Sequence, residues 1–208
     1  MNGATEIMSD LERWQTRYAA PEYHFGTEPN AFLRRQAYLL RPGQKALAVG
    51  DGEGRNGVWL AEQGLDVLSL DFSPNALRKA QALAANRGVT IRTELVDVAT
   101  WSWPTEAFDV IVGIFVQFLP RAGQDTMFQG MKQALKPGGL LLLEGYGQKQ
   151  LEYRTGGPKD LDRLYTRAWL ESAFGDFASL DIREYEIRMA EGGAHVGMAA
   201  LMDLVGRK

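Results

Sequence analysis

Short apolar runs alternate with longer segments of helical periodicity along most of the chain. Five of the runs are predicted to be strands: Lys45–Val49, Asp66–Leu70, Val89–Val96, Phe108–Phe115 and Leu140–Leu143. The last two are almost wholly apolar, as expected for central strands that helices cover on both faces. The alternation predicts an α/β fold with a parallel sheet.

Helix signals fill the intervals between these runs. Ser73 and Pro74 are an N-cap and a first-turn proline, and apolar positions follow them at helical spacing. Lys136-Pro137-Gly138-Gly139 is predicted to turn the chain into the fifth strand. Further helices are predicted from Thr27 and Pro29 through Leu40, before Leu135, and over residues 160–173.

The pattern changes beyond residue 160. Two extended runs, Leu180–Met189 and His195–Val205, flank a turn at Glu191-Gly192-Gly193. This arrangement predicts an antiparallel pair at the end of the sheet. No linker interrupts the chain, so we expect one domain over 1–208, with a helical cap over 1–40 and the core over 41–208.

Composition narrows the classes of partner. The 26 acidic and 23 basic residues give a net charge of -3, which makes nucleic acid an unexpected partner. With no cysteine and two histidines among 208 residues, we expect no disulfide, no thiol nucleophile and no metal site. Val110–Leu119 is about half the roughly 20 residues of a membrane span, and Met1–Leu11 lacks the pattern of a secretory signal. These features predict a cytoplasmic protein without a membrane partner.

The segment after the first strand carries the main chemical signal. Gly50, Gly52 and Gly54 alternate there, and Asp71 ends the second strand. Glycines allow a ligand to approach the backbone, and a carboxylate at the neighbouring strand end can accept both hydroxyls of a ribose. The pair predicts an adenosine-containing ligand. The alternative is a tight turn, with Asp71 serving only the helix that starts at Ser73.

Gly52, Gly54 and Gly57 also fit the GxGxxG spacing of dinucleotide sites, so an NAD-type oxidoreductase stays open as an alternative. Three features favour S-adenosylmethionine: the glycine run begins at Gly50, Asp97 ends the third strand, and Leu135–Gly139 precedes the fifth. With these motifs, residues 40 to 205 resemble the class I S-adenosylmethionine-dependent methyltransferases. The chain is most similar to the small bacterial enzymes of the tellurite-resistance and thiopurine methyltransferase groups, through Tyr23–Asn30, Gly52–Asn56 and Thr155–Pro158.

The resemblance implies a doubly wound, seven-stranded, mostly parallel Rossmann-like sheet with an antiparallel last strand. It also implies a set of cofactor contacts. Gly50, Gly52 and Gly54 would line the methionine and ribose, and Asp71 would bind the ribose. The adenine contacts implied are Phe72 on one face, Ile114 on the other, and Asp97 with the Val98 amide at the edge.

The amino-acid end of the cofactor has several candidate partners in the sequence. Ala48 stands where many relatives have an acidic residue, and Asp51 or Glu53 could substitute for it. Arg55 and Arg17 are candidates for the methionine carboxylate, because a guanidinium binds a carboxylate with two parallel hydrogen bonds. The alternative for Arg55 is a solvated charge on a helix surface.

Methyl transfer from a sulfonium is an in-line displacement that depends mainly on alignment, so an obvious catalytic residue is not required. Tyr146 is the first candidate for a base or an orienting group, since ligands of open α/β sheets bind at the carboxyl ends of strands. His24 and His195 are further candidates, as are Tyr23 and Tyr153. For each of them, packing or a surface hydrogen bond is the alternative.

The acceptor is predicted to be a small molecule. The segment Ile114–Pro120 lacks the polar residue, two prolines and aromatic typical of methyltransferases that act on exocyclic amines, and little chain lies outside the core. A protein that binds S-adenosylmethionine without catalysis remains a further alternative.

Overall fold

The computed structural model describes residues 10–193 and 195–208. In this part of the chain, seven strands form one sheet in the order β3-β2-β1-β4-β5-β7-β6. The strands are β1 (Lys45–Val49), β2 (Asp66–Asp71), β3 (Arg92–Leu95), β4 (Phe108–Ile114), β5 (Leu135–Tyr146), β6 (Ser179–Glu191) and β7 (His195–Arg207). The helices are α1 (Asp10–Tyr18), α2 (Ala31–Arg35), α3 (Arg55–Glu62), α4 (Pro74–Asn86), α5 (Arg121–Ala134), α6 (Gln150–Tyr153) and α7 (Arg167–Phe174).

The sheet has the predicted mixture of strand directions. Neighbours among β1 to β5 run parallel, whereas β7 lies antiparallel between β5 and β6. Apolar side chains pack on both faces of the sheet, Phe128 and Trp169 on one and Leu60 and Leu83 on the other. This confirms the doubly wound, mostly parallel fold. It also brings the carboxyl ends of β1, β2, β4 and β5 to one edge, where such folds bind ligands.

The cap of α4 forms as predicted. Ser73 Oγ accepts a hydrogen bond from the Ala76 amide at 3.2 Å, and Pro74 is the first helical residue. The predicted hairpin also forms, with Glu191 paired to His195 and Gly192 at φ 58°. The two motifs were predictable because each is determined by residues close together in sequence.

Two predicted helices differ from the observed ones. The helix expected from Thr27 and Pro29 to Leu40 begins only at Ala31, because the Asn30 side chain accepts from the Leu33 amide and caps it. After α2 the chain continues as a short 3-10 turn, Ala37–Leu39.

The helix expected over residues 160–173 is divided into a 3-10 turn, Leu161–Arg163, and α7. Between them the Tyr165 amide donates to the Tyr146 carbonyl at 2.9 Å, and Tyr165 forms a parallel bridge with Gly147. Pairing with the end of the sheet therefore replaces one turn of helix. The fifth strand is also longer than predicted, since Lys136–Gly139 lies within β5 beside a shift of register opposite Phe108 and Val110.

Candidate functional site

A cavity of about 460 Å³ lies at the carboxyl edge of the sheet. Its walls come from α1, residues 24 and 25, the bend after β1, the ends of β2, β4 and β5, and the loop at 156–158. The volume is typical of sites for small molecules. Within the described residues, no helix is long and apolar enough to cross a membrane, and no group of three histidine, aspartate or glutamate side chains could hold a metal ion.

The bend after β1 presents bare backbone to this cavity. Gly50 and Gly52 have φ values of 57° and 58°, which favour glycine. A Cβ at Gly52 would lie 2.9 Å from the Tyr18 hydroxyl, and one at Gly50 would lie 3.0 Å from the Phe118 ring. Any larger residue would fill the space between the bend and its cover.

Gly54 does not line the cavity, and its contact with the cofactor stays a prediction. A Cβ there would lie 2.5 Å from the Cβ of Ala80, where α3 and α4 meet, and the φ of Gly54 is 87°. The third glycine of the motif thus allows two helices to pack closely.

Asp71 braces the bend from the end of β2. Its Oδ2 accepts from the Gly52 amide and its Oδ1 from the Ser73 amide, each at 2.9 Å. Burial raises its pKa to about 6, although these amide hydrogen bonds lower it. A carboxylate has about four acceptor positions, so both oxygens can still accept from a ligand. Asp71 both shapes the bend and lines the cavity.

Asp51 is the second acid on the cavity wall. It accepts from the Ser69 hydroxyl at 2.8 Å and from the Gly57 amide at 3.1 Å, and burial raises its pKa to about 7. A Cβ at Gly57 would lie 2.3 Å from Asp51 Oδ2 and 3.6 Å from Ala48 Cβ. The Asp51 carboxylate therefore stands beside the position where the resemblance led us to expect an acid.

The predicted adenine contacts divide into two groups. Phe72 and Ile114 line the cavity. Val98 is buried in the core, and Asp97 is exposed, with its Oδ1 accepting from the Ala99 amide at 2.9 Å. Asp97 lines a separate surface depression beside Trp101. The structure does not bring Asp97 and Val98 into the cavity wall, and their contact with adenine stays a prediction.

Helix α1 covers the side of the cavity next to the glycine bend. Gln15 accepts from the Ser73 hydroxyl at 2.8 Å and so holds α1 to the start of α4. The Tyr18 side chain is buried over Gly52. Arg17 lines the cavity with its guanidinium 4.7 Å from the Trp14 ring centre.

The segment between α1 and α2 is tied to the glycine bend. The His24 amide donates to Glu53 Oε2 at 2.7 Å, and the Asn30 amide donates to Asn56 Oδ1 at 2.9 Å. Glu53, the other candidate to replace the missing acid, is buried and also pairs with Lys79 at 2.6 Å. The two motifs that carried the resemblance, Tyr23–Asn30 and Gly52–Asn56, are thus in direct contact.

Arg55 is buried and lines the cavity, so it is not a solvated surface charge. Its Nη1 donates to Glu191 Oε2 at 2.8 Å. Glu191 also accepts from the Ala31 amide at 2.9 Å, which joins the tip of the β6–β7 hairpin to the start of α2.

Tyr146, the first candidate for a catalytic or orienting group, lines the cavity at the end of β5. Its ring packs on Phe115, with centres 4.7 Å apart, and Phe115 has a φ of 57° directly after β4. Burial raises the pKa of the Tyr146 hydroxyl, and the carboxyls of Glu144 and Glu191 raise it further. Tyr146 therefore remains a protonated phenol near neutral pH, able to donate a hydrogen bond but unsuited to act as a base.

The other candidates occupy different places. His24 lines the cavity, and burial lowers its pKa, which leaves the imidazole neutral at pH 7. His195 is the first residue of β7, and its side chain lies outside the described residues. Tyr23 donates to the Lys79 carbonyl at 3.0 Å, and Tyr153 donates to Glu186, so both bond to groups away from the cavity wall.

Sequence reasoning missed Glu191 and Arg163. Glu191 was interpreted only as part of a turn, and Arg163 lies in the segment predicted as helix, where it lines the cavity and donates to the Phe118 carbonyl at 2.7 Å. No local motif marks either residue. A charged residue at the tip of a predicted hairpin was the available signal for Glu191.

Comparison with known proteins agrees with this geometry. Residues 46–139 match the family described as a methyltransferase domain. A phosphoethanolamine N-methyltransferase from Triticum aestivum is 33% identical over 112 residues, which cover 51% of this chain and 21% of that protein. The chain thus spans about a fifth of the length of these curated relatives.

Two solved structures extend the likeness to the whole fold. TehB from Haemophilus influenzae has a TM-score of 0.70 at 20% identity, covering 95% of this chain and 66% of that one. Phosphoethanolamine N-methyltransferase 2 from Haemonchus contortus, in complex with phosphomonomethylethanolamine and S-adenosylhomocysteine, has a TM-score of 0.72 at 17% identity and covers 97% and 60%. The predicted resemblance and the fold class are confirmed.

Proposed function

We propose that this chain, which has the fold of the class I S-adenosylmethionine-dependent methyltransferases and a methyltransferase domain over residues 46–139, methylates a small-molecule acceptor. One observation carries the proposal: the bare bend at Gly50 and Gly52, braced by Asp71, forms a wall of the cavity at the carboxyl edge of the sheet. The sheet order argues against the NAD-type alternative, because the strand order of dinucleotide-binding sheets is 3-2-1-4-5-6, whereas here β7 lies antiparallel between β5 and β6.

The chain's residues fit the nucleoside half of the cofactor. Asp71 would accept from the ribose hydroxyls, and the backbone at Gly50 and Gly52 would face the ribose and methionine. Phe72 and Ile114 supply apolar surface for the adenine.

Asp51 and Arg17 fit the amino-acid half. Asp51 would accept a hydrogen bond from the ammonium group, in place of the acidic residue that many relatives have at the position of Ala48. The Arg17 guanidinium contacts the Trp14 ring and lines the cavity, so it can bind the methionine carboxylate when the ligand enters.

Bound S-adenosylmethionine would supply a methyl group activated by the positive charge on its sulfur: the acceptor's lone pair would form the new bond to this carbon, and the carbon–sulfur electron pair would stay on sulfur. The protein's part is to align the two reactants and to exclude water. The aromatic side chains of Trp14, Tyr18 and Phe25 line the cavity and can exclude water from it.

A proton leaves an acceptor that reacts as a thiol, phenol or amine. His24 is neutral at pH 7 and lines the cavity, so it can accept that proton. Tyr146 would orient the acceptor by donating a hydrogen bond. His195 stays a candidate by its position at the start of β7.

The size of the cavity favours a small acceptor, such as the phosphomonomethylethanolamine named with the Haemonchus relative. The net charge of -3 disfavours nucleic acid. A cytoplasmic site of action also belongs to the proposal, since a chain without cysteine forms no disulfide and suits a reducing compartment.

Calorimetry with S-adenosylmethionine, S-adenosylhomocysteine and NADH tests the cofactor. We expect binding of the first two and none of NADH, and the reverse result would reject the proposal. An assay for S-adenosylhomocysteine formation with thiols, phenols, amines and oxidised metalloids then tests catalysis. Tight binding with no turnover across all four classes would favour the catalytically silent alternative.

A further inference from the structure

Arg55 combines deep burial with unused hydrogen-bonding capacity. Its side chain is 8% exposed, yet it lines the cavity. Among the residues that the structure describes, its guanidinium bonds only to Glu191, through Nη1. A guanidinium has five N–H donors in a planar fork, and one carboxylate contact leaves an edge for a second oxyanion.

Glu191 fixes the direction of this side chain. It lies at the end of β6, where the Gly192 backbone packs against Phe25 and Gly26 so closely that a Cβ would lie 2.3 Å from the Phe25 carbonyl carbon. Glu191 also accepts from the Ala31 amide at 2.9 Å. The hairpin tip is thus held on two sides, and Arg55 is held with it.

Hydrogen bonds tie Arg55 to the Tyr146 end of the cavity. Its partner Glu191 accepts from Asn30 Nδ2 at 3.4 Å, and Asn30 also donates to Glu144, two residues before Tyr146 on β5. The pKa of Tyr146 agrees with this proximity: burial is the main cause of its rise, Glu191 adds to the shift and Arg55 opposes it. Arg55 therefore brings a positive charge to this end of the cavity.

The other arginine candidate belongs to the helix that covers the cavity, where Arg17 contacts the Trp14 ring. Arg55 directly follows the glycine bend and also lowers the pKa of Asp51, so both arginines lie near that bend. They differ in what holds them, since α1 carries Arg17 whereas Glu191 of the β6–β7 hairpin binds Arg55. This difference in anchoring is the basis for giving the two arginines separate roles.

We propose that Arg55 binds an anionic group, a carboxylate or a phosphate, of the methyl acceptor, and that Glu191 is the positioning residue that holds Arg55 there. The inference rests on the proposed function. It assigns the methionine carboxylate to Arg17 and leaves Arg55 for the acceptor.

Calorimetry with two nucleosides tests the first part. S-adenosylhomocysteine carries the amino-acid group, and 5′-methylthioadenosine lacks it. We expect Arg17→Gln to lower the affinity for S-adenosylhomocysteine at least tenfold, with little effect on the affinity for methylthioadenosine. We expect Arg55→Gln to change neither affinity by more than about twofold. If Arg55→Gln abolishes the advantage of S-adenosylhomocysteine over methylthioadenosine, Arg55 serves the cofactor and the inference is wrong.

Paired acceptor probes test the second part on protein saturated with S-adenosylhomocysteine. The pairs are 3-mercaptobenzoate with thiophenol, for a carboxylate, and phosphoethanolamine with ethanolamine, for a phosphate. In the wild type we expect one anionic probe to bind at least tenfold more tightly than its partner. Arg55→Gln should reduce this ratio to about twofold, and Arg55→Lys should restore part of it because the charge returns.

Glu191→Gln tests the positioning role, with Glu186→Gln as the matched control, since Glu186 lies on the same strand and pairs with exposed Lys149. We expect the probe ratio to fall in the first variant only, with affinity for S-adenosylhomocysteine unchanged in both. An equal fall of the probe ratio in both variants would show that Glu191 does not position Arg55. Absence of any preference in the wild type, or a preference that survives Arg55→Gln, would overturn the inference. If the wild type bound no S-adenosylhomocysteine, the proposed function itself would fail.

Discussion

The two halves of the cavity are built in different ways. In the half proposed for the cofactor, here called the cofactor half, Asp71 bonds to Ser73 and Gly52, which are 2 and 19 positions away. In the half proposed for the acceptor, here called the acceptor half, Asn30 bonds to Glu144 and Arg55 bonds to Glu191, across 114 and 136 positions. The bend of the cofactor half therefore forms from nearby residues, with α1 added as a cover across 58 positions, whereas distant segments must converge to form the acceptor half. A substitution in one half should leave the other largely intact, and the following variants test this.

The largest expected effect is a loss of stability at Gly54, which lines neither half of the cavity. Gly54→Ala should lower the free energy of unfolding by about 2–4 kcal/mol, from the strain of a positive φ and the clash with Ala80. Urea denaturation measures it. Gly88→Ala is the control, since Gly88 has φ +69° and no atom within 4 Å of the added Cβ. Equal losses in the two variants would mean that helix packing is not what requires Gly54.

Asp71→Ala should affect the cofactor half. We expect S-adenosylhomocysteine to bind about 1.5–3 kcal/mol more weakly, because the ribose hydroxyls lose a charged acceptor. Calorimetry measures the change, and exchange protection of the amides in α2 should stay as in the wild type. Wild-type affinity in this variant would show that Asp71 only braces the bend.

Asn30→Ala should affect the acceptor half. The variant loses the cap of α2 and a donor to buried Glu144, and we expect about 1–2 kcal/mol lower stability. Faster hydrogen exchange at residues 23–33 should accompany it, with affinity for S-adenosylhomocysteine within about twofold of the wild type. A loss of affinity comparable to that of Asp71→Ala would show that the halves are coupled.

The smallest effect is a pH dependence. Burial raises the pKa of Asp51 to about 7 and that of Asp71 to about 6, from 3.8, so the folded chain holds these protons more tightly than the unfolded chain. Their contribution to stability is complete at low pH and is lost as the pH rises from about 4 to about 7. The melting temperature of the ligand-free protein should thus gain more from Asp51→Asn at about pH 8 than at about pH 5. An equal gain at both pH values would contradict the raised pKa.

The difference between the halves also explains what could be predicted from the sequence. β1, the Ser73 cap and the hairpin at Gly192 follow from neighbouring residues, and so does the bend at Gly50. The helix expected over residues 160–173 was wrong because Tyr165 bonds to the end of β5, a contact that local propensity does not register.

The candidate site divides along the same boundary. Gly50, Gly52 and Asp71 were found from spacing alone, and the structure brings them together. The pairing of Arg55 with Glu191 could not be found, because it depends on where a distant hairpin ends. The sequence offered both Asp51 and Glu53 as replacements for the acid missing at Ala48, and the fold of the bend shows that Asp51 is the one beside Ala48.

The bond between Asn30 and Glu191 has a consequence for synthesis. A ribosome adds about 5–20 residues each second, and Glu191 emerges 161 positions after Asn30, so roughly ten to thirty seconds separate them. During that interval the nascent chain can form the bend at Gly50 and Gly52, but Asn30 still lacks its partner Glu191 on the other side of the cavity. Nascent chains stalled before and after the hairpin should differ there, the shorter ones leaving the segment around Asn30 open to proteases.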